Sequence, residues 1–192
     1  MEDQTKAAIQ EKLADALEMD FPASIRREAM LPSLPGKAHA IIGMRRAGKT
    51  YFLFQCLQDE LTRGVARERL VYFNLEDERL GSMGAEDLSL IVETYYRLFP
   101  AFRRREEVVF CFDEIQLVPG WERFVRRIMD SEKTRVFLSG SSAGMLSREV
   151  ATSMRGRAME TVITPFSFRE FLSYRNLKPP AGGETPSARH RS

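Results

Sequence analysis

The sequence predicts an α/β fold, a three-layer sandwich in which helices cover both faces of a five-stranded, mainly parallel sheet. Three observations support this prediction. Segments with strand character alternate with segments whose apolar residues recur every three or four positions, which is the pattern of βαβ units. Residues 108–112 are continuously apolar, as is typical of a central parallel strand buried on both faces. A glycine-containing turn follows the first strand segment and leads directly into a helical one.

The elements can be assigned in order along the chain. Residues 3–19 are predicted to be helical, because Ile9, Leu13 and Leu17 recur on one face, and prolines then interrupt regular structure. Residues 178–192 are rich in proline and glycine and poor in apolar residues, which predicts a disordered tail. The other expected elements are strands at 37–42, 69–74, 108–112, 135–138 and 159–163, and helices beginning near 49 and 121 and covering 85–99, 143–154 and 167–175.

Composition limits the class of protein. The 192 residues match one ordinary domain with enough apolar side chains for a core, and the net charge of +2 gives no strong overall field. Two cysteines exclude a disulfide framework, and two histidines leave little for a His-rich metal site. No apolar run approaches the roughly 18 residues that a membrane span needs. The N-terminus lacks a secretory signal pattern, so we expect a cytoplasmic setting and no membrane partner.

The decisive motif begins at Gly43 and matches the phosphate-binding spacing G-x-x-x-x-G-K-S/T. Glycines let backbone N–H groups approach a phosphate, and the following helix directs its positive N-terminus toward the anion. Lys49 is predicted to reach the β- and γ-phosphates, and Thr50 to place its hydroxyl on Mg²⁺. The alternative is a glycine turn with an exposed lysine. The predicted nucleotide-binding residues are Gly43, Met44, Arg45, Arg46, Ala47, Gly48, Lys49 and Thr50.

Two adjacent acids follow the most apolar strand. Asp113 is placed to hold Mg²⁺ through the water shell of the metal, and Glu114 to polarise an attacking water as a general base. This pair favours ATP hydrolysis, because phosphotransferases need no glutamate that activates water. A solvated turn after a core strand is the alternative explanation for the same two residues.

Two further segments supply candidates for the site. Ser139 or Ser141, at the end of a strand expected between the first and third, could hydrogen-bond the phosphate or the nucleophilic water; a turn with a helix cap explains them equally well. Arg157 is predicted as a catalytic arginine that reaches either a neighbouring subunit's nucleotide or the phosphate of its own chain. Arg155 is a second candidate, and either arginine could instead complement a helix dipole.

Taken together, these motifs resemble those of the prokaryotic AAA+-like P-loop ATPases, which pair an ATPase domain with a C-terminal domain of unknown function. The resemblance covers residues 25–174 and includes Trp121, residues 146–149 and the Pro-Phe-Ser-Phe-Arg-Glu-Phe segment at 165–171. It implies a P-loop NTPase sheet of the AAA+/ASCE type and binding of ATP with Mg²⁺ through the residues named above. Family members usually continue well beyond that segment, so this chain resembles a truncated form.

The organisation predicted is an N-terminal helix over residues 1–24, an ATPase domain over 25–177 and a tail over 178–192. The predicted function is binding of Mg-ATP, with hydrolysis driving a conformational change, in a homo-oligomer or with a separate partner protein. A non-hydrolysing nucleotide-binding module, a nucleic-acid-linked motor and a small-molecule kinase are the alternatives. Residues 102–105 and 126–127 offer basic surface to nucleic acid, but the acids at 106, 107 and 122 favour a solvated charged face.

Overall fold

A computed structural model describes residues 2–32, 34–81, 83–140, 154 and 156–177. Within these ranges, five strands form one sheet in the order β2-β3-β4-β1-β5, and every neighbouring pair is parallel. The predicted five-stranded sheet is therefore confirmed, including the place of β4 between β1 and β3. The strands are β1 (Ala38–Ile42), β2 (Leu70–Asn74), β3 (Val108–Asp113), β4 (Thr134–Gly140) and β5 (Ala158–Val162).

Helices pack on both faces of the sheet because side chains of each strand alternate between them. Ala40 and Ile42 of β1 join the core beneath α1, α3 and α4, whereas Ile41 between them joins the core beneath α2. The three-layer arrangement is confirmed. The helix predicted over 143–154 and Ser141 lie outside the described residues, apart from Met154. The described helices are α1 (Glu2–Glu18), α2 (Lys49–Thr62), α3 (Ala85–Leu98), α4 (Trp121–Ser131) and α5 (Phe168–Tyr174).

The central strand β3 is buried at all six positions, as its apolar run predicts. Phe110 and Phe112 lie on the α3–α4 face, where Phe112 meets Phe124 of α4 edge to face at a centroid distance of 5.6 Å. The helical spacing read in α4 is also confirmed, because its apolar residues are buried together against the sheet.

The N-terminal helix α1 shares the core of the sheet. Ile9 and Leu13 are fully buried in the same cluster as the side chains of β1 and β3. Lys12 of α1 also donates to Asp77, beyond β2, at 2.7 Å. The helix therefore packs as part of the α/β body, and the domain boundary at residue 24 stays a prediction. The predicted tail at 178–192 lies outside the described residues.

The two cysteines and the histidine of β1 lie in buried, packed positions. Cys56 and Cys111 are buried free thiols, and burial raises the pKa of Cys56 to about 12. His39 stacks on Phe137 with a centroid distance of 4.9 Å, and its burial, with Arg135 nearby, lowers its pKa. Among the described helices, none combines the length and the apolar character that crossing a bilayer requires.

Candidate nucleotide-binding site

The phosphate-loop residues, the two acids and Ser139 meet at the carboxyl ends of β1, β3 and β4. The chain leaves β1 at Ile42 and turns through residues 43–48 into α2, while β3 ends at Asp113. Strand β4 separates β1 from β3, so the two motifs lie on either side of the end of one strand. Open parallel α/β sheets bind ligands at the carboxyl ends of their strands, because the loops there converge above the strand ends.

The two glycines of the loop are required for different physical reasons. A Cβ on Gly43 would lie 2.2 Å from the carbonyl oxygen of Ile163, so the close approach of the chain after β5 excludes any side chain. Gly48 instead has φ +94, in the left-handed region that favours glycine. The turn between them is closed by a hydrogen bond of 3.2 Å from Ala47 N–H to the Met44 carbonyl.

The loop leaves backbone donors available to an anion. Within the described structure, no protein group accepts a hydrogen bond from the N–H groups of Gly48, Lys49 or Thr50, which open α2. The side chains of Met44 and Arg45 point outward, and Arg45 forms an exposed ion pair with Glu76 at 2.7 Å. The backbone of the loop, rather than its variable side chains, thus presents the polar groups that suit a phosphate.

Lys49 is buried at the mouth of this loop, with only 5% of its side chain exposed. Its Nζ donates to the Met44 carbonyl at 3.3 Å and lies 3.5 Å from Glu114 Oε1. The ammonium group therefore bridges the phosphate loop and the acids that follow β3. A phosphate in the loop would compete with Glu114 for the same positive charge.

Asp113 accepts three hydroxyl hydrogen bonds. Thr50 donates to Oδ2 at 2.8 Å, Tyr72 donates to the same oxygen at 2.7 Å, and Ser139 donates to Oδ1. Burial raises the pKa of Tyr72, with Asp113 adding to the effect, so its phenol stays a donor. The Thr50 hydroxyl and the Asp113 carboxylate are hard oxygen ligands brought side by side, which is a donor set that suits Mg²⁺ together with phosphate oxygens.

Glu114 sits in a strained backbone conformation next to Asp113. Its φ of 58 and ψ of 43 are left-handed, which is uncommon for a residue other than glycine and is a feature of functional sites. Ser139 Oγ accepts from Glu114 N–H at 3.0 Å, and Glu114 Oε2 accepts from Gln116 Nε2 at 2.6 Å. The turn thereby directs the carboxylate back toward Lys49. Ser139 holds both acids, while Ser141 lies outside the described residues.

Comparison with known proteins gives the family. A family model described as an AAA domain matches residues 35–172, which is most of the chain. The chain belongs to the AAA domain family. The matched range of this AAA domain contains the phosphate loop, both acids and the capping segment of α5, which are the motifs that carried the resemblance in the sequence.

Curated relatives of this AAA domain are longer proteins. An uncharacterized protein of Methanocaldococcus jannaschii, MJ1544, is 38% identical over 173 residues, covering 90% of this chain and 36% of that protein. An uncharacterized protein of Haemophilus influenzae is 36% identical over 138 residues, covering 71% of this chain and 33% of that protein. The chain thus spans about a third of the length of these relatives.

A solved structure supports the fold alone. C. elegans PCH-2 matches 89% of this chain and 44% of its own chain, with a TM-score of 0.50 and 11% sequence identity. At that identity the similarity concerns the path of the backbone. The family model and the solved structure agree on a P-loop AAA-type α/β fold. The family model by itself supports a nucleotide-binding, ATPase-like module.

In this AAA domain Arg157 lies at the amino ends of the strands, whereas the phosphate loop lies at their carboxyl ends. Its carbonyl accepts from Ala38 N–H at the start of β1, whereas the phosphate loop follows the end of β1. The length of that strand, about 16 Å for five residues, separates the two sites. The alternative in which Arg157 contacts the phosphate of its own chain is therefore wrong. Its guanidinium instead pairs with Asp130 at 2.5 Å, and a contact with a neighbouring subunit remains a prediction.

Two residues that support the phosphate loop were not predicted from the sequence: Arg27, which contacts the loop, and Glu170, which contacts Arg27. Arg27 donates from Nη1 to the Ala47 carbonyl at 2.9 Å and from Nε to Glu170 at 2.9 Å, across 143 positions of sequence. No local pattern marks Arg27. Glu170 could have been found, because Ser167 and Glu170 have the spacing of a capping box and form one at the start of α5.

The carboxylate of Glu170 is stabilised in its ionised form. Burial alone would raise its pKa, but hydrogen bonds from the backbone N–H groups of Ser167 and Glu28, together with Arg27, outweigh burial and lower the pKa to about 2. Tyr72 was missed as well, although its place on the strand next to β3 provides the signal, since parallel neighbours end at the same edge.

Proposed function

We propose that this AAA domain binds Mg-ATP at residues 43–50 and hydrolyses it to ADP and phosphate. The observation that carries the proposal is the hydrogen bond of 2.8 Å between Thr50 Oγ1 and Asp113 Oδ2, which joins two motifs 63 residues apart. In this assignment the loop amides and Lys49 bind the phosphates, and Thr50 and Asp113 hold Mg²⁺. The metal, when bound, would neutralise charge on the transferring phosphoryl group.

Glu114 is assigned as the general base. Its Oε1 faces Lys49, so a nucleotide that engages Lys49 would leave this oxygen to accept a proton from water. The Gln116 amide and the left-handed backbone keep the carboxylate aimed at the loop rather than at solvent. In this arrangement Glu114 becomes available as a base when a nucleotide occupies the phosphate loop and engages Lys49.

The experiment compares Mg-ATP binding, by calorimetry, with steady-state phosphate release for the purified chain and three variants. Lys49→Ala is expected to weaken binding by at least about tenfold, because a charge-assisted contact of about 1.5–3 kcal/mol is lost. Glu114→Gln should bind normally but hydrolyse about 100-fold more slowly or worse, the usual contribution of a general base. Glu106→Gln, which alters an exposed ion pair with Arg69, is the matched control.

Two results would contradict the proposal. Wild-type chain without affinity for Mg-ATP would exclude the binding role. Equal turnover by wild type and Glu114→Gln would exclude Glu114 as the base, even if binding were intact.

A second candidate function is nucleotide binding without turnover. It is favoured by one observation: both carboxylate oxygens of Glu114 already face donors, Lys49 and Gln116. If this restraint holds with nucleotide bound, wild type will bind Mg-ATP and release no phosphate. Gln116→Ala, which removes the donor to Glu114 Oε2, then separates the two candidates. A rise in turnover would show that Glu114 is a competent base that Gln116 restrains, whereas unchanged absence of turnover would favour binding without hydrolysis.

A role on nucleic acid has less support from the described side chains. Arg103 bonds to Glu93 and Glu132 at 2.8–3.0 Å, and Arg127 donates to Ser89 at 2.7 Å. The charge of Arg103 is therefore paired within the chain, and the Arg127 guanidinium is held by a neutral hydroxyl. DNA affinity that falls steeply with salt concentration would support the motor alternative.

The remaining parts of the proposal concern the cellular setting and the assembly. We infer a cytoplasmic protein that acts as a homo-oligomer or with a separate partner protein, its nucleotide cycle driving a conformational change. Because Arg157 lies at the amino ends of the strands, away from the phosphate loop of its own chain, a catalytic role for it requires a neighbouring subunit. Hydrolysis per chain that rises with protein concentration in wild type, and not in Arg157→Ala, would support that role.

A further inference from the structure

We propose that Arg27 is a positioning residue for the phosphate loop, whose guanidinium orients the peptide between Ala47 and Gly48 so that its N–H group faces the phosphate. The inference deepens the proposed function and rests on it. It assigns a role to a residue that lies before β1 and outside every sequence motif of the site.

The guanidinium connects three parts of the chain. The Arg27 side chain is 5% exposed, and it donates to the carbonyls of Ala47 at 2.9 Å and Thr164 at 2.5 Å and to the carboxylate of Glu170 at 2.9 Å. Glu170 supplies the opposite charge that a buried cation needs. Arg27 therefore joins the phosphate loop, the chain after β5 and the start of α5.

The backbone of Arg27 is fixed as well. Its N–H donates to Gln55 Oε1 at 2.7 Å, and its carbonyl accepts from Gln55 Nε2 at 3.3 Å. Gln55 lies on α2, the helix that begins inside the phosphate loop. The Arg27 backbone is thus held by α2, the helix that begins in the phosphate loop. The guanidinium therefore has little freedom to follow the loop if the loop is displaced.

The bond to Ala47 determines the direction of one loop amide. The C=O and N–H of a trans peptide point to opposite sides, and the described residues contain no cis peptide. Because the Ala47 carbonyl faces Arg27, the N–H of Gly48 faces away from it, and it has no acceptor in the described structure. A Cβ on Gly48 would lie 3.0 Å from Arg27 Nη1, so the guanidinium also packs directly against the loop.

Lysine cannot replace this contact set. An ammonium is a compact point charge, whereas the planar guanidinium serves acceptors in three directions at once. In Arg27→Lys the carboxylate of Glu170 is the strongest acceptor and would retain the ammonium, leaving the Ala47 carbonyl without its donor. The Ala47–Gly48 peptide would then be free to rotate, and the loop would lose part of its preorganisation for phosphate.

The chain offers a matched control in Arg67. Like Arg27, this guanidinium donates to three acceptors, which here are the backbone carbonyls of Leu70, Ala16 and Met19 at 2.6–2.8 Å. It makes no contact with the phosphate loop among the described residues. Arg67→Lys therefore removes part-buried guanidinium hydrogen bonds from the same fold, at a place where nucleotide affinity should not respond.

The experiment measures thermal unfolding and Mg-ATP affinity of the full chain for wild type, Arg27→Lys and Arg67→Lys. Both variants are expected to lower the unfolding temperature by comparable amounts. Arg27→Lys should weaken Mg-ATP binding by about tenfold, equivalent to about 1.4 kcal/mol, and Arg67→Lys by less than about twofold. In NMR spectra, the Gly48 amide should shift on addition of Mg-ATP in wild type and shift less in Arg27→Lys.

A second variant keeps the inference testable if Arg27→Lys does not fold. Glu170→Gln preserves the shape of the acceptor but removes its charge, which loosens Arg27 and should weaken Mg-ATP binding by about threefold, on the order of 0.7 kcal/mol.

The outcomes separate the inference from the proposed function. If wild type binds Mg-ATP and the folded Arg27→Lys variant, or Glu170→Gln in its place, binds it within about twofold of wild type, the inference is overturned and the proposed function stands. Equal losses of affinity in Arg27→Lys and Arg67→Lys would also overturn it, because they would reflect general destabilisation. If wild type binds no nucleotide, the proposed function fails and the inference fails with it.

Discussion

Replacing Gly43 by alanine tests whether the phosphate loop depends on its close contact with the chain after β5. The new Cβ would lie 2.2 Å from the Ile163 carbonyl oxygen and 3.2 Å from its carbon. Ordinary van der Waals contact begins at 3.4 Å, so the segment at Gly43 and the segment at Ile163 must separate by about 1 Å. Gly43 does not have a positive φ, so the cost in the folded state comes from this contact and not from the left-handed region that favours glycine.

The magnitude follows from two losses and one gain. Overpacking costs about 1–3 kcal/mol, and the hydrogen bond of 2.7 Å from Ile163 N–H to the Ile42 carbonyl, worth about 1 kcal/mol, lies at the point that must open. Alanine restricts the unfolded chain and returns about 0.4–1 kcal/mol. We therefore expect Gly43→Ala to lower the free energy of unfolding by about 1–3.5 kcal/mol.

Urea denaturation measures this change, and calorimetry with Mg-ATP measures the accompanying loss of affinity. Gly84→Ala is the control, because Gly84 has φ −110 and a Cβ there would meet nothing closer than Asp87 Oδ2 at 4.0 Å. A free energy of unfolding for Gly43→Ala within about 0.5 kcal/mol of wild type would refute the steric argument. Full stability with lost affinity would instead show that the loop moved while the sheet did not.

Three other perturbations test separate parts of the structure. Thr50→Val should abolish the enhancement of ATP affinity by Mg²⁺, measured by calorimetry with and without the metal, whereas Thr50→Ser should retain it; equal enhancement in both would exclude the hydroxyl as a ligand. Leu13→Ala should cost about 2–5 kcal/mol in urea denaturation and the exposed Gln10→Ala less than about 0.5, because α1 shares the core. Glu170, with a pKa of about 2 against an ordinary 4.5, stabilises the fold above pH 4.5, and this contribution disappears as the pH falls toward 2. Unfolding temperatures across that range should therefore fall less for Glu170→Gln than for wild type, and parallel curves would contradict this.

The fold could be predicted from the sequence because its signals are local. The apolar run of β3, the helical spacing in α4 and the glycine spacing of the phosphate loop each report on neighbouring residues. The predicted strands and helices that fall on described residues lie within a few residues of their predicted bounds. The position of β4 between β1 and β3 followed from the fold type that the phosphate loop indicated. Element boundaries differ by one or two residues, since terminal pairing depends on the neighbouring strand.

The candidate site could be predicted only in part. Gly43, Lys49 and Asp113 belong to contiguous motifs whose chemistry is visible in the sequence, and the structure brings them to one edge of the sheet. Arg157 was misjudged in one of its two alternatives, because its distance from the phosphate loop depends on whether the start of β5 lies beside the start or the end of β1. The parallel pairing of β5 with β1 decides this, and local sequence does not state it.

The sequence by itself determined the order of elements, the phosphate loop and the acid pair, because those depend on residue type and spacing along the chain. Only the tertiary structure decided which groups orient them: Tyr72 and Ser139 on Asp113, and Arg27 with Glu170 behind the loop. The physical reason is that these partners are joined by burial and hydrogen bonding across 26 to 143 positions of sequence. A buried donor must find an acceptor wherever the packed chain places one, and no spacing rule in the sequence records that choice.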